Sequence, residues 1–207
     1  MKGPNPMRTG TAEALALSLL LLSSTSYAGW RDEAAPRDVE RLAHLSESRQ
    51  QGLEAAASGN PSDVAAIRSI LTADPVSAIG RITGNWRCRT MKLGGLTPEI
   101  VYSWFRCRIS ERDGRLFFEK LTGSLRTSGY LYPEGDAYVY LGAQYVGAGY
   151  GPMEKRPSYS GDGPSAGAGE TPDDQIGLLS RTADGRARLE LPYPVQESTF
   201  DVMELKR

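Results

Sequence analysis

The residues whose type and spacing promise chemistry are two cysteines and the arginines around them. Arg87-Cys88-Arg89 is repeated as Arg106-Cys107-Arg108, and no other cysteine occurs among the 207 residues. In an oxidising compartment a lone pair of cysteines forms a disulfide. A metal site would want more Cys or His at short spacing, and the chain has a single histidine, His44. No metal or cofactor is therefore expected. His44 lies beside an apolar helical stripe with no acid or thiol next to it. General acid–base work needs a positioned partner, so this is a surface or packing histidine. No nucleophile elbow or phosphate loop is present, and no catalytic residue is assigned. The 25 Asp and Glu residues leave one enzymatic alternative, a hydrolase whose carboxylates are brought together by folding.

If Cys88 faces Cys107 across two antiparallel strands, position i pairs with 195 minus i. Trp86 then meets Ile109 and Thr90 meets Phe105, an apolar face belonging to a core. On the opposite face Arg87 lies across from Arg108 and Arg89 from Arg106. Like charges opposed on a sheet cost roughly a few tenths to 1 kcal/mol per pair. A disulfide closing about 20 residues stabilises by roughly 3 kcal/mol, enough to hold the four guanidinium groups together. Two readings of that cluster stand. Glu119, Asp201 or Glu204 on flanking strands neutralises it, or it binds a carboxylate or phosphate, for which arginine offers a bidentate fork. Met91, Tyr102 and Trp104 share this outer face, and the N-terminal helices are expected to cover them. The candidate binding residues are Arg87, Arg89, Arg106, Arg108, Tyr102 and Trp104.

Several kinds of element must position these residues. Lys2, Arg8, an apolar run from Ala14 to Leu22 and the ending Ser26-Tyr27-Ala28 predict a signal peptide cleaved after Ala28. Met7 is a second possible start. The run is too short for a hydrocarbon core needing roughly 20 residues, so no membrane anchor is expected after cleavage. Residues 29–80 read as a helical segment, with Val39, Leu42, Leu45 and Leu53 on one face and Gly59 as its stop. Asn60-Pro61 opens a second helix with Val64, Ile67 and Ile70 or Leu71 inward.

From residue 81 the pattern turns to short runs rich in Val, Tyr, Phe, Trp and Thr. Eight strands are predicted: Gly84–Lys92, Glu99–Ile109, Leu116–Leu121, Leu125–Tyr132, Ala137–Tyr145, Ile176–Arg181, Ala187–Leu191 and Thr199–Lys206. Asp113-Gly114, Thr122-Gly123, Glu134-Gly135 and Asp184-Gly185 supply the turns. Eight strands joined by short turns favour an antiparallel up-and-down barrel, which removes sheet edges. The fold class is mainly β with N-terminal helices. One Gly- and Pro-rich loop, 146–174, is either functional or disordered. The formal charge of -1 gives no reason to expect nucleic acid.

Gly84-Asn85-Trp86 opening the first strand resembles the Gly-x-Trp entrance of lipocalin-like barrels, which implies that Trp86 plugs one barrel end. In such barrels a basic residue near the last strand covers that Trp, a place held here by Lys206 or Arg207. A wider resemblance covers nearly all of the chain after residue 28. Its segments are Trp86–Thr90, Tyr102–Ile109, Lys120–Ser124, Arg126-Thr127 and Glu197-Ser198 with Asp201-Val202. They are similar to a family of exported Gram-negative proteins known as domain of unknown function 4893, which implies no activity or ligand. Exported barrels with one disulfide also resemble bacterial metalloprotease inhibitors, but the long helical segment ahead of the barrel departs from that pattern. The expectation is a periplasmic, non-enzymatic binding module whose partner is an envelope protein or a small ligand in the barrel mouth. An envelope structural or assembly protein is the further alternative.

Overall fold

The computed structural model describes residues 1, 3, 29–77, 80–147, 157–161 and 173–207. The expected signal segment and most of the 146–174 loop lie outside the described residues. Among the described residues four helices come first: α1 (Trp30–Glu33), α2 (Pro36–Ala43), α3 (Leu45–Ala56) and α4 (Pro61–Leu71). The sequence pattern read α1 to α3 as one helix, but the chain breaks before Pro36, which has no N–H to donate, and again at His44. His44 ends α2, starts α3 and pairs with Glu47 at 2.8 Å. Asn60 caps α4 through the Ser62 N–H, with Pro61 in the first turn as expected.

Nine strands follow among the described residues: β1 (Gly84–Leu93), β2 (Glu99–Val101), β3 (Phe105–Arg112), β4 (Arg115–Lys120), β5 (Leu125–Glu134), β6 (Ala137–Val146), β7 (Asp173–Arg181), β8 (Ala187–Pro192) and β9 (Phe200–Lys206). β1 and β3 to β9 form an eight-stranded antiparallel meander that β1 closes by pairing with β9. β2 is an extra short strand on the second half of β1. The predicted second strand is thus two strands. Met91 pairs with Val101 and Cys88 with Phe105, so three residues (Tyr102 to Trp104) oppose two. The extra residue is a bulge, and it reverses the facing of everything before it. Val101 packs outward with Met91, whereas Phe105 packs inward.

Cys88 and Cys107 form a disulfide with Cα atoms 5.9 Å apart. The register is nevertheless not the one inferred from it. Trp86 pairs with Cys107, Arg87 with Arg106 and Asn85 with Arg108, so positions sum to 193 rather than 195. The cysteines are diagonal neighbours on one face. Sheet twist brings one diagonal within bridging range, and a two-residue shift preserves facing. Trp86 and Ile109 therefore still point inward.

Inward side chains fill the lower lumen: Trp86, Ile109, Phe118, Leu131, Tyr140, Leu179, Leu189 and Leu205. Outward apolar residues are covered by helices. Met91, Leu93, Phe200 and Val202 pack on Ala56, Ile67, Ile70 and Leu71 of α3 and α4, the cover expected for Met91. Trp30, Val39 and Leu42 lie instead on Tyr132, Val139, Leu141 and Ile176. The single predicted stripe thus serves two separate faces. No helix of the described residues is long and apolar enough to cross a membrane.

Candidate functional site

The barrel has two unlike ends. At one, Trp86 is buried, its Nε1 donates to the Ile82 carbonyl at 2.9 Å, and the Arg207 guanidinium lies 4.6 Å from the ring centroid. Arg207 also donates to the carbonyls of Arg81 and Thr83. The base of the barrel is filled and tied down.

At the other end the alternation of the strands continues but the inward residue types change. On β1 the inward series runs Trp86, Cys88, Thr90, Lys92; on β4 it ends at Lys120, on β5 it includes Thr127, on β6 Gln144, on β7 Gln175 and on β9 Asp201. These polar side chains ring a cavity of about 270 Å³, with Phe105, Leu125, Leu191 and Met203 as its apolar wall. Its floor is a buried network. Thr127 Oγ1 lies 2.5 Å from the Tyr140 hydroxyl and donates to Gln175 Oε1 at 2.6 Å, while Gln175 donates to Gln144 at 3.3 Å. Gly142 makes room for the Tyr140 side chain, since a Cβ there would overlap its hydroxyl.

The charges in the mouth are not evenly matched. Lys92 Nζ is 2.7 Å from Glu197 Oε2. Burial opposes its charge, but Asp201 and Glu197 together raise its pKa. Asp201 is fully buried; desolvation pushes its carboxyl up to about 6, against the pull of Lys92 and a hydrogen bond from Ser198. Lys120 is only 8% exposed and meets no carboxylate among the described residues; its Nζ sits 4.3 Å from the centroid of Phe105. Burial, then the neighbouring Lys92 and Arg126, lower its pKa to about 8. Arg126 stands at the rim, its Nε donating to the Gly123 carbonyl at 3.1 Å.

The arginine cluster predicted from the doubled tripeptide is spread out. Arg89 Nε pairs with Glu204 at 2.7 Å and Arg108 with the buried Glu119 at 2.6 Å. These are two of the three acids named from sequence. The third, Asp201, faces the mouth instead. Arg87 and Arg106 oppose each other on the exposed face. Trp104 is fenced by cations of the chain itself, Lys206 at 4.1 Å, Arg89 at 4.6 Å and Arg87 at 5.7 Å. Tyr102 alone of the six predicted binding residues lines the cavity. A wider groove of about 710 Å³ beside Trp30 and Tyr132 is chemically settled, because Glu134 takes Trp30 Nε1 and Arg31, and Arg115 takes Glu33 and Tyr132. Among the described residues no group of three or more His, Cys, Asp or Glu could hold a metal.

Sequence reasoning missed Lys120, Arg126, Thr127, Gln144 and Gln175, and Asp201 as a mouth residue. One signal was readable: Lys92 shares its facing with Trp86 and Cys88, so a lysine stands at a core position of β1.

Fold and cavity together define a small closed β-barrel with one plugged end and one open, polar end. The chain belongs to the family described as domain of unknown function (DUF4893), whose model matches residues 30–205. No curated protein and no solved structure gives a significant match.

Proposed function

We propose that this protein is an exported, non-enzymatic binding module that holds a small molecule in the mouth of its barrel. The observation that carries the reading is the change of inward residues from apolar to polar at one end only, around an open cavity. A lumen serving stability alone would be apolar to the top, because buried polar groups cost free energy unless satisfied. The volume lies just under the usual range of small-molecule pockets, which favours a compact ligand over a long lipid. Export is supported by the disulfide, which persists in oxidising compartments.

The test uses the neutral fluorophore N-phenyl-1-naphthylamine with residues 29–207. Saturable one-to-one binding is expected, and it should be abolished by Thr90→Trp, which fills the cavity from the inward face of β1. Absence of saturable binding to the unsubstituted protein, or unchanged binding to Thr90→Trp, would overturn the reading.

A further inference from the structure

We infer that the ligand class is a small amphipathic monocarboxylate, its head held by Lys120 and Arg126 and its short apolar chain laid along Phe105, Leu125, Leu191 and Met203. This rests on the barrel mouth being a ligand site.

Lys120 points into the cavity from β4, is nearly withdrawn from solvent and lacks an acidic partner among the described residues. An ammonium group in that position is costly unless an anion joins it. Arg126, on the neighbouring strand, adds a second cation, hydrogen-bonded among the described residues to the Gly123 carbonyl and to no carboxylate, and a guanidinium suits the two oxygens of a carboxylate.

The balance of charge selects a monoanion. Lys92, Lys120 and Arg126 give three positive charges on the cavity wall, and Asp201 and Glu197 give two negative ones, a surplus of one. A carboxylate neutralises that surplus, whereas a doubly charged phosphate ester would overshoot it and face Asp201 and Glu197 unscreened. The remaining wall is apolar. Each methylene buried there contributes roughly 0.8 kcal/mol, so a chain attached to the carboxylate adds affinity that a bare anion lacks.

The experiment is displacement of bound N-phenyl-1-naphthylamine by octanoate, 1-octanol and octyl phosphate. Octanoate is expected to compete at least tenfold better than 1-octanol, which has the same chain without the charge, and better than octyl phosphate. Lys120→Met should erase the advantage over 1-octanol, with an unchanged far-UV circular dichroism spectrum showing that the variant is folded; Arg126→Gln should reduce it. Equal competition by octanoate and 1-octanol, or stronger competition by octyl phosphate, would overturn the inference while the binding-module reading stands. A wild-type protein that never binds the fluorophore defeats that reading first.

Discussion

Lys120 occupies a position where stability alone would place an apolar side chain, two residues along the same inward face from the fully buried Phe118. Its charge is therefore a cost to folding at neutral pH. The amine titrates near 10.5 when unperturbed and about 8 in the folded protein. The folded state holds this proton more weakly, so the penalty is fully present below about pH 8 and is relieved as pH rises from there to 10.5. Asp201 has the opposite sign. Its carboxyl is raised to about 6, so its contribution is present below the unfolded value and lost as pH climbs through 6. Lys120→Met should accordingly raise stability at pH 7 by about 1–2 kcal/mol, discounted for the water that reaches the mouth, and the gain should shrink by pH 10. Urea midpoints of both proteins at the two pH values measure this. A variant less stable than wild type at pH 7 would mean that the lysine serves the fold. A residue that weakens the fold yet occupies a pocket is the stability–function trade-off expected of a binding site.

At the scale of elements, α3 meets β9 at Gly52, where a Cβ would lie 2.8 Å from the Phe200 Cβ and 3.1 Å from that of Leu93. Helix propensity alone favours alanine there by about 1 kcal/mol. Overpacking a close interface costs about 1–3 kcal/mol, and both obstructing atoms are Cβ atoms fixed to strand backbone, so the clash wins. Gly52→Ala should lower the urea midpoint, and an unchanged or higher midpoint would show that α3 can lift off the barrel freely. The strands themselves were legible because alternation and turn residues are local signals. Seven of the eight predicted strands, from Gly84–Lys92 to Thr199–Lys206, have a single observed counterpart. The remaining one, Glu99–Ile109, split because a bulge leaves no mark in Val101-Tyr102-Ser103-Trp104 that distinguishes it from continuous strand. The disulfide told the facing of Trp86 and Ile109 correctly but not their pairing, since direct and diagonal bridges share the same parity. The polar cavity was largely illegible. Lys120, Thr127, Gln144, Gln175 and Asp201 come from five strands and converge only once barrel closure stacks their ends, whereas the conspicuous doubled Arg-Cys-Arg motif lies on an outer face where Glu119 and Glu204 already answer two of its arginines.

For the molecule as a whole, Gly29 and Trp30 are tied firmly into the described body of the protein. Trp30 is buried against Val139, Leu141 and Ile176, its Nε1 donates to Glu134 at 2.9 Å, and the Gly29 nitrogen donates to Asp32 Oδ2, also at 2.9 Å. The family match likewise starts at residue 30. Cleavage after Ala28 would therefore remove nothing that these contacts use. It would also turn the Gly29 nitrogen into an ammonium group beside the Asp32 carboxylate, strengthening a bond already in place. The prediction is that protein recovered from the periplasm of a bacterial host expressing the full chain has the intact mass of residues 29–207 less two hydrogens, and that non-reducing peptide mapping links Cys88 to Cys107. The full-length mass, or two free thiols, would overturn the export proposal. Neither result would alter the barrel, so the ligand experiments decide the site independently of the compartment.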